Sequence, residues 1–322
     1  IPLRFLIDGQ FYDLFIRYLG REVKENRDGR AYQCHKFSAM LVEGTIFKGG
    51  EELVAWVTAD ANKIPVMVEA RILIGSVKAY LTGYENLVED LRKIKSEEEI
   101  QATVDALRLA EKAFFRVVAT IRPGMTEKQV AWDLEKAMRE SGAQGLSFPS
   151  IIASGPNSAL PHAIPSDRRI VEGEPLLIDW GARLNEYCSD TTRTLVLGKP
   201  KDPFRKIFET VVEARDRAIA AIRAGASGTE VDKVARDFID RNGFGDKFGH
   251  GLGHGTGLAV HEAPRLSPIK DDRLEAGMIV TVEPGIYLPE WGGVRMENQV
   301  VVTPDGAGVL KDSAPFDPRI GI

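Results

Sequence analysis

The chain has 322 residues, of which 43% are hydrophobic and 28% charged, an ordinary composition for a globular protein. Its length exceeds what a single hydrophobic core usually organises, so we expect two domains. The net charge of -5 provides no basic surface for nucleic acid, and no apolar run reaches the roughly 20 residues of a membrane span. We therefore expect neither nucleic acid nor a membrane as a partner.

The N-terminus and the cysteines bear on the cellular compartment. The chain begins at Ile1 without an initiator Met, and no secretory signal is recognised, so Ile1 is treated as an arbitrary start. The two cysteines, Cys34 and Cys188, are too few for a disulfide framework. These features favour a reducing, cytoplasmic location.

Residues 1–94 contain no set of residues with the spacing of a catalytic motif. Four local elements are predicted here: a helix at Phe11–Leu19, strands at Leu53–Val57 and Ile72–Ile74, and a solvated loop over the charged run Glu22–Arg30. The one histidine of this segment, His35, stands alone, so a packing or surface role is favoured for it. The residues that carry chemistry are therefore expected further along the chain.

A charged linker ends at Ser96, where the second part of the chain begins. Ser96 and Glu99 have the spacing of a capping box, in which each side chain accepts from the other residue's backbone N–H at a helix start. Apolar residues then recur at helical spacing from Ile100 to Phe114. We predict a helix here that ends near Arg122–Gly124.

A weak internal repeat relates two helix pairs. The second helix of the first pair is predicted at Thr126–Gly142, and its leading segment, Ile121–Glu127, recurs about 100 residues later as Ile222–Glu230. Helices are predicted on both sides of the second copy, at Pro203–Arg223 and Thr229–Arg241. Chance similarity between helical hairpins is the alternative. Because order, spacing and flanking elements agree, we infer two similar halves that face each other and share a site.

Predicted strands in both halves contain or adjoin acidic residues. The strands are Pro175–Asp179, Thr191–Leu197, Met278–Glu283 and Val294–Val302. The acidic residues are Asp179, Asp190, Glu283 and Glu297. A buried strand does not normally hold a carboxylate unless that carboxylate is paired or binds a metal.

A Gly-rich stretch, Phe248–Pro264, holds three of the five histidines. Its His254 joins the four carboxylates in a set of five candidate metal ligands. Oxygen ligands with one imidazole suit Mn, Co, Fe or Mg better than a structural zinc. Four carboxylates offset the charge of two divalent ions, which at about 3.5–4 Å from each other would share a bridging water able to attack a carbonyl.

Each candidate ligand also has an ordinary alternative role. Asp179 and Asp190 would cap strand ends, Glu283 would enter a Pro-Gly turn, Glu297 would pair with Arg295, and His254 would bond to backbone. These five alternatives would have to hold together to explain the pattern without a metal. We therefore favour the metal site.

The remaining histidines of this part of the chain are candidates for handling the substrate. His162 lies in a loop bounded by prolines, and His261 follows His254 by seven residues. An imidazole beside a reacting carbonyl donates to the developing oxyanion or carries a proton to the leaving nitrogen. His250 has no assigned role beyond lining the pocket or supporting a ligand.

Six motifs occur in order over about residues 95–315. They are Pro161–His162, Ile178–Ala182, Ser189–Thr194, Gly249–Glu262, Val282–Tyr287 and Val294–Asn298. Together they resemble the pita-bread metallopeptidases, a family that includes Xaa-Pro dipeptidase (prolidase), Xaa-Pro aminopeptidase, methionine aminopeptidase and creatinase. The complete set of candidate ligands argues against creatinase, and the additional N-terminal segment argues against methionine aminopeptidase.

The resemblance implies an α/β (α+β) architecture with two domains. Residues 95–322 would form a pita-bread catalytic domain, in which two pseudo-symmetric halves enclose a dinuclear site. Residues 1–94, which match by position alone, would form a smaller creatinase-like α/β domain. The resemblance also implies a homodimer.

The resemblance further implies roles for the site residues. Asp179, Asp190, His254, Glu283 and Glu297 fall on the metal-ligand positions of the family. They would bind two divalent ions, with Mn expected and Co, Zn or Fe as alternatives. Asp190 and Glu297 would contact both ions, and Glu283 would be the general base. His162 and His261 would be the histidines that handle the substrate.

Pro161–Ala163 and Asp190–Arg193 resemble the proline-specific branch of the family, which hydrolyses Xaa-Pro bonds in peptides. The nitrogen of that bond has no N–H, so its recognition needs an apolar slot for the ring. Phe148 is a candidate wall of this slot, with an ordinary core role as the alternative. Arg265 and Arg295 are candidate partners for a substrate carboxylate, and Arg295 would alternatively brace a metal ligand.

The proline-specific branch leaves a choice of substrate length. A dipeptidase must bind the free carboxylate that follows the proline, whereas an aminopeptidase needs an open channel. We favour a dipeptidase and keep an aminopeptidase acting on longer peptides as the alternative. A non-catalytic peptide-binding member of the fold is a further hypothesis, which the complete ligand set disfavours.

Overall fold

The computed structural model describes residues 2–7, 10–25, 31–41, 50–59, 65–71, 76–80, 91–310 and 319–320. The chain divides into two compact units, Ile1–Val88 and Glu89–Ile322. None of the described helices is both long and apolar enough to cross a membrane.

The described residues of the N-terminal unit form one antiparallel sheet, in which each strand pairs with the next along the chain. Its strands are β1 (Pro2–Ile7), β2 (Gln10–Glu25), β3 (Ala31–Leu41), β4 (Gly50–Thr58), β5 (Pro65–Arg71) and β6 (Ser76–Tyr80). A small apolar cluster on this sheet contains Cys34 and Trp56. The Lys24 ammonium lies 4.2 Å from the centre of the Trp56 ring, a distance that permits a cation–π interaction.

Two local predictions for this unit are wrong. Phe11–Leu19, predicted as a helix, lies within β2, and so does Glu22–Glu25, the described part of the predicted loop Glu22–Arg30. Pairing with β1 and β3 satisfies the backbone of these residues, and this context overrides local propensity. The described residues of this unit form strands, and the α/β organisation expected for residues 1–94 stays a prediction.

The other predictions for the unit have different outcomes. Leu53–Val57 lies within β4, as predicted. Ile72–Ile74 lies outside the described residues. His35 packs beside Tyr18, whose hydroxyl oxygen is 3.1 Å from the Nδ1 of His35, and this contact agrees with the packing role expected for it. Cys34 and Cys188 are both buried and are not joined in a disulfide.

The C-terminal unit contains the four predicted helices. They are α1 (Glu97–Val118), α2 (Glu127–Glu140), α3 (Phe204–Ala221) and α4 (Gly228–Arg241). The capping box of Ser96 with Glu99 starts α1, as the sequence predicts, and a second capping box, of Thr126 with Gln129, starts α2 at its predicted position. Local sequence signals therefore specify where these helices begin.

The strands of the C-terminal unit fall into two groups along the chain. The first group is β7 (Gly145–Leu146), β8 (Ile151–Ser154), β9 (Pro175–Trp180), β10 (Ala182–Leu184), β11 (Tyr187–Cys188) and β12 (Thr191–Leu197). The second is β13 (Gly253–Gly255), β14 (Glu262–Leu266), β15 (Ile279–Val282), β16 (Gly285–Leu288), β17 (Gly292–Arg295), β18 (Asn298–Val302) and β19 (Ala307–Val309). The last strand, β20 (Arg319–Ile320), pairs in parallel with β12.

Each group of strands builds one half of the unit with one helix pair. In the first half β8, β9 and β12 are antiparallel neighbours, and α1 and α2 share a buried core with them. In the second half β13, β15 and β18 have the same antiparallel order, and α3 and α4 share the other core. Two structurally similar halves thus follow the repeat seen in the sequence.

Core packing fixes the strand that carries the first acidic residue. The Trp180 ring at the end of β9 stacks on Phe114 of α1, with ring centroids 4.1 Å apart and an interplanar angle of 8°. The Trp180 Nε1–H donates to the carbonyl of Ala110 at 3.0 Å. These contacts fix the end of β9 against α1, and with it the position of Asp179, which precedes Trp180.

The predicted strand Val294–Val302 is interrupted. Strand β17 ends at Arg295 and β18 begins at Asn298, so Met296 and Glu297 lie between two strands of different sheets. The Glu297 N–H donates at 3.1 Å to the carbonyl of Thr192, which belongs to the other half. The break therefore directs Glu297 across the interface between the halves.

Candidate metal centre

Three buried carboxylates converge between the two halves. Asp179 lies on β9, Asp190 directly precedes β12, and Glu297 lies between β17 and β18. One oxygen of each lies within 4.8 Å of the others, and their residues are 8%, 4% and 1% exposed. Three acids at this separation and depth form an unusual cluster, because buried carboxylates repel one another unless a cation lies among them.

His254 and Glu283 lie beside this cluster. The His254 Nε2 is 3.6 Å from Asp190 Oδ2 and 3.3 Å from Glu283 Oε1. Thr281 orients both residues, because its hydroxyl donates to Glu283 Oε1 at 3.0 Å and accepts from the His254 N–H at 3.0 Å. The structure thus brings together all five residues that the sequence analysis proposed as ligands.

A glycine permits the close approach of the strand that carries His254. A Cβ added at Gly253 would lie 2.0 Å from the carbonyl oxygen of Thr281 on β15. Any side chain at this position would push β13 away from β15. The Gly-rich sequence before His254 is therefore a packing requirement of the site.

The donor set has the chemistry of a divalent-metal site. Asp179 Oδ1 and Glu297 Oε1 are buried and have no hydrogen-bond partner among the described residues. Burial and the neighbouring carboxylates raise the pKa values of Asp190 and Glu297 well above their usual range. A bound cation would satisfy the unpaired oxygens and stabilise the ionised forms, so these residues fit a metal.

Glu283 differs electrostatically from the other acids. Burial alone would raise its pKa, but the hydrogen bond and charge of His254, together with His250 and Arg295, lower the pKa of Glu283 to about 2. The carboxylate of Glu283 is therefore ionised at neutral pH, beside an imidazole that is itself a candidate ligand.

Arg295 braces Asp179. Its Nη2 donates to Asp179 Oδ2 at 2.6 Å, and its Nη1 donates to the hydroxyl of Tyr287 at 3.0 Å. The Tyr287 hydroxyl in turn lies 2.8 Å from Nε2 of His250. Arg295 is only 3% exposed and forms ion pairs with Asp179 and Glu283, so the alternative pairing with Glu297 is not what the structure contains.

Two neighbouring residues of β12 hold Glu297. The hydroxyl of Thr192 donates to Glu297 Oε2 at 2.8 Å, and Arg193 Nη1 donates to the backbone carbonyl of Glu297. The Thr192 hydroxyl also accepts from Arg295 Nε at 3.1 Å. These contacts join the halves directly at the site.

Sequence reasoning assigned no role to Thr192, Thr281 or Tyr287. The alternation of β12 was a usable signal, because Thr192 and Thr194 share a strand face and both contact the 295–297 segment. Tyr287 belongs to the motif Val282–Tyr287, but nothing in the local sequence indicates which groups its hydroxyl contacts. Thr192 and Glu297, for example, are 105 residues apart, so their contact forms only when the chain folds.

The acids open onto a cavity of about 560 Å³. Its lining includes every residue predicted to contact the substrate, namely Phe148, His162, His250, His261, Arg265 and Arg295. The proline-rich loop of His162 borders the same cavity through Pro161 and Pro165. A pocket of this volume accommodates a small peptide.

His261 lies next to His254 at the exposed side of the cavity. Their ring centroids are 4.3 Å apart. Burial, the neighbouring His254 and Arg265 lower the pKa of His261 to about 4. His261 is therefore neutral at neutral pH and carries one ring N–H that can be donated.

The two arginines of the cavity have different surroundings. Arg295 is buried within the Asp179 and Tyr287 network, which corresponds to the bracing role considered for it. Arg265 is exposed on β14, and its backbone N–H donates to Asp272 at 2.8 Å. Arg265 is therefore the arginine of this cavity whose side chain is exposed to solvent.

Two helix-and-sheet halves that meet over clustered acids place this fold among the pita-bread metallopeptidases, the class that the motifs resemble. Residues 101–304 match the model of metallopeptidase family M24, and the chain belongs to that family. Residues 1–82 match a second model, described as a protein of unknown function (DUF3108).

A relative with a stated activity matches about two thirds of this chain. An Xaa-Pro dipeptidase of Pyrococcus furiosus is 45% identical over 223 residues, which cover 69% of this chain and 64% of that relative. The matched region is thus less than two thirds of the relative's length.

Solved structures agree in fold. The X-Pro aminopeptidase of Thermotoga maritima has a TM-score of 0.72 at 42% identity and covers 74% of this chain and 68% of its own. The Xaa-Pro dipeptidase of Bacillus anthracis has a TM-score of 0.72 at 44% identity and covers 74% and 67%.

Proposed function

We propose that this chain is a metal-dependent peptidase that hydrolyses Xaa-Pro bonds, with Xaa-Pro dipeptides as its preferred substrates. The observation that carries the proposal is the convergence of five residues with metal-ligating side chains, two of which have unpaired buried carboxylate oxygens, on one cavity. Similarity to relatives named Xaa-Pro dipeptidase supports the substrate class.

The proposed ligands would hold two divalent ions, with Mn expected and Co, Zn or Fe as alternatives. They are Asp179, Asp190, His254, Glu283 and Glu297. Divalent ions in such sites supply Lewis acidity, which polarises the scissile carbonyl and acidifies water. The bracing contacts of Thr192, Thr281 and Arg295 would limit the rotation of the ligand side chains.

Proton transfer is assigned to residues of this chain at the edge of the acid cluster. Glu283, ionised because its pKa is about 2, is able to accept a proton from the attacking water. His261, neutral because its pKa is about 4, can donate its ring N–H to the oxygen that develops negative charge. His162, across the same cavity, is proposed to contact the substrate near the leaving nitrogen.

Substrate selection is assigned to the apolar and basic parts of the cavity wall. Phe148, which is half-buried, would contact the proline ring from one side. Arg265, which is exposed, would bind the carboxylate that follows proline in a dipeptide. His250 would form pocket wall and support Tyr287 through the 2.8 Å contact of its Nε2.

The test compares Xaa-Pro dipeptides with Xaa-Pro-Xaa tripeptides in the presence of added Mn²⁺, alongside metal analysis of the purified protein. Higher kcat/KM for the dipeptides is the expected result. Equal or higher kcat/KM for tripeptides would instead favour an Xaa-Pro aminopeptidase, which the similarity to the Thermotoga maritima enzyme supports. Absence of both bound metal and activity with added metal would contradict the peptidase proposal.

We further propose that the protein is a homodimer in the cytoplasm, with residues 95–322 as the catalytic domain. The family resemblance supports the dimer, and light scattering of the purified protein would measure its mass. A monomeric mass at assay concentration would contradict this part of the proposal.

A further inference from the structure

Glu262 directly follows His261 in the chain, yet the two side chains have opposite environments. His261 is exposed at the cavity, whereas Glu262 is 8% exposed and begins β14. A buried carboxylate needs partners. Those partners show what Glu262 does.

The carboxylate of Glu262 is paired with two cations from the segment that precedes α1. Arg92 Nη2 donates to Glu262 Oε1, and Lys95 Nζ lies 3.4 Å from Glu262 Oε2. The side chain of Lys95 is 1% exposed, and its burial lowers the pKa of the ammonium while Glu262 opposes that effect. Burying a lysine ammonium costs desolvation free energy, which the ion pair with Glu262 offsets. The pair therefore fixes the position of the Glu262 carboxylate.

The same carboxylate also closes the loop that leads to His261. Glu262 Oε1 accepts from the backbone N–H of Ala259 at 2.9 Å. A Cβ added at Gly257 would lie 2.7 Å from Glu262 Oε2, so the loop backbone packs against the carboxylate. The carbonyl of Gly257 also accepts from the N–H of Cys188 at 2.8 Å.

We propose that Glu262 is a positioning residue for His261. Arg92 and Lys95 hold its carboxylate, the carboxylate holds the loop 257–261, and the loop directs the His261 imidazole to its place 4.3 Å from the His254 ring. The inference rests on the proposed function, since His261 is assigned its chemical role there. Glu262 itself does not line the cavity.

A double-mutant cycle separates positioning from general stabilisation. Glu262→Gln preserves shape and the ability to accept from Ala259 but removes the charge that pairs with Lys95 and Arg92. It is expected to lower kcat/KM about tenfold or more, because small displacements of a catalytic group have large effects. In a His261→Ala background the same change is expected to lower kcat/KM less than about twofold.

The opposite result is equally defined. If Glu262→Gln reduces kcat/KM by the same factor with and without His261, Glu262 does not act through His261 and the proposal is overturned. Glu99→Gln is the matched control, because the Glu99 carboxylate accepts from the Tyr187 hydroxyl at 2.5 Å and from the Ser96 N–H at 2.7 Å, and neither partner belongs to loop 257–261. That variant should leave kcat/KM unchanged.

Hydrogen exchange provides a readout that does not depend on activity. In metal-free protein, Glu262→Gln should increase exchange at loop 257–261, with protection of the α1 core unchanged. Arg92→Ala removes a 31% exposed partner and should cause a smaller increase of the same kind, which keeps the test usable if Glu262→Gln does not fold. Unchanged exchange in both variants would overturn the proposal.

The two proposals fail in different ways. A wild-type protein that hydrolyses no Xaa-Pro peptide contradicts the proposed function, while loop exchange still reports whether Glu262 orders the loop. An active wild type with unaltered activity in Glu262→Gln contradicts the positioning role alone.

Discussion

Arg295 and Asp179 form a buried ion pair, with 2.6 Å between Nη2 and Oδ2, that joins the two halves of the C-terminal unit. One oxygen of Asp179 is occupied by this guanidinium, and the other is buried without a hydrogen-bond partner among the described residues. Burial raises the pKa of Asp179, and Arg295 opposes that rise. The arginine therefore favours an ionised carboxylate with one oxygen left for a cation.

Arg295→Lys is expected to weaken metal binding about 10–100-fold, because outer contacts of a ligand contribute this much to affinity. Lysine keeps the charge but lacks the planar set of donors that reaches Asp179, Tyr287 and Thr192 together. Calorimetric titration of the metal-free protein with Mn²⁺ measures the change. Arg265→Lys is the control and should bind Mn²⁺ as the wild type does; equal affinity of the two variants would contradict the bracing role.

Arg265→Ala is expected to raise KM for Xaa-Pro dipeptides roughly tenfold, because the variant loses one charge-assisted hydrogen bond to the substrate carboxylate. Its kcat should change little, because Arg265 is exposed and is not part of the cluster of Asp179, Asp190 and Glu297. Steady-state kinetics on dipeptides and tripeptides measure both constants. An unaltered dipeptide KM would remove Arg265 from substrate recognition.

Glu297→Gln should abolish most of the thermal stabilisation that Mn²⁺ confers on the wild type, because a ligand that binds only the folded state raises its stability. In the metal-free protein the change should cost little, because the pKa of Glu297 is raised by burial and by Glu283 and Asp179. Melting temperatures with and without Mn²⁺ test both statements. Glu135→Gln on the surface of α2 is the control, and retention of the full Mn²⁺ effect in Glu297→Gln would exclude Glu297 as a ligand.

Thr192→Val should lower metal affinity and the free energy of unfolding, the latter by about 1–3 kcal/mol, because Glu297 and Arg295 each lose a buried hydrogen-bond partner. Thr210→Val is a matched control, since Thr210 donates only to the carbonyl of Lys206 within α3. Urea unfolding and Mn²⁺ titration measure the two effects. Similar losses in both variants would mean that the Thr192 hydroxyl has no special place at the site.

Local sequence predicted the C-terminal helices and several strands well. Capping boxes at Ser96 and Thr126 mark helix starts through contacts between residues three positions apart. Strand β12 was predicted with its observed bounds, Thr191–Leu197, and six of its seven residues are buried. The prediction failed at Phe11–Leu19, where pairing with two neighbouring strands outweighs the apolar pattern.

The sequence by itself determined the inventory of the site: four acids and one histidine at recognisable spacings, with glycines where backbones approach. It did not indicate that Arg295 pairs with Asp179 rather than Glu297, that Tyr287 links His250 to Arg295, or that Glu262 anchors the His261 loop. Asp179 is 116 residues from Arg295, and Arg92 is 170 residues from Glu262, so these contacts depend on how distant segments pack together. Spacing reports which groups are present, whereas only the tertiary structure decides which of them share one buried space.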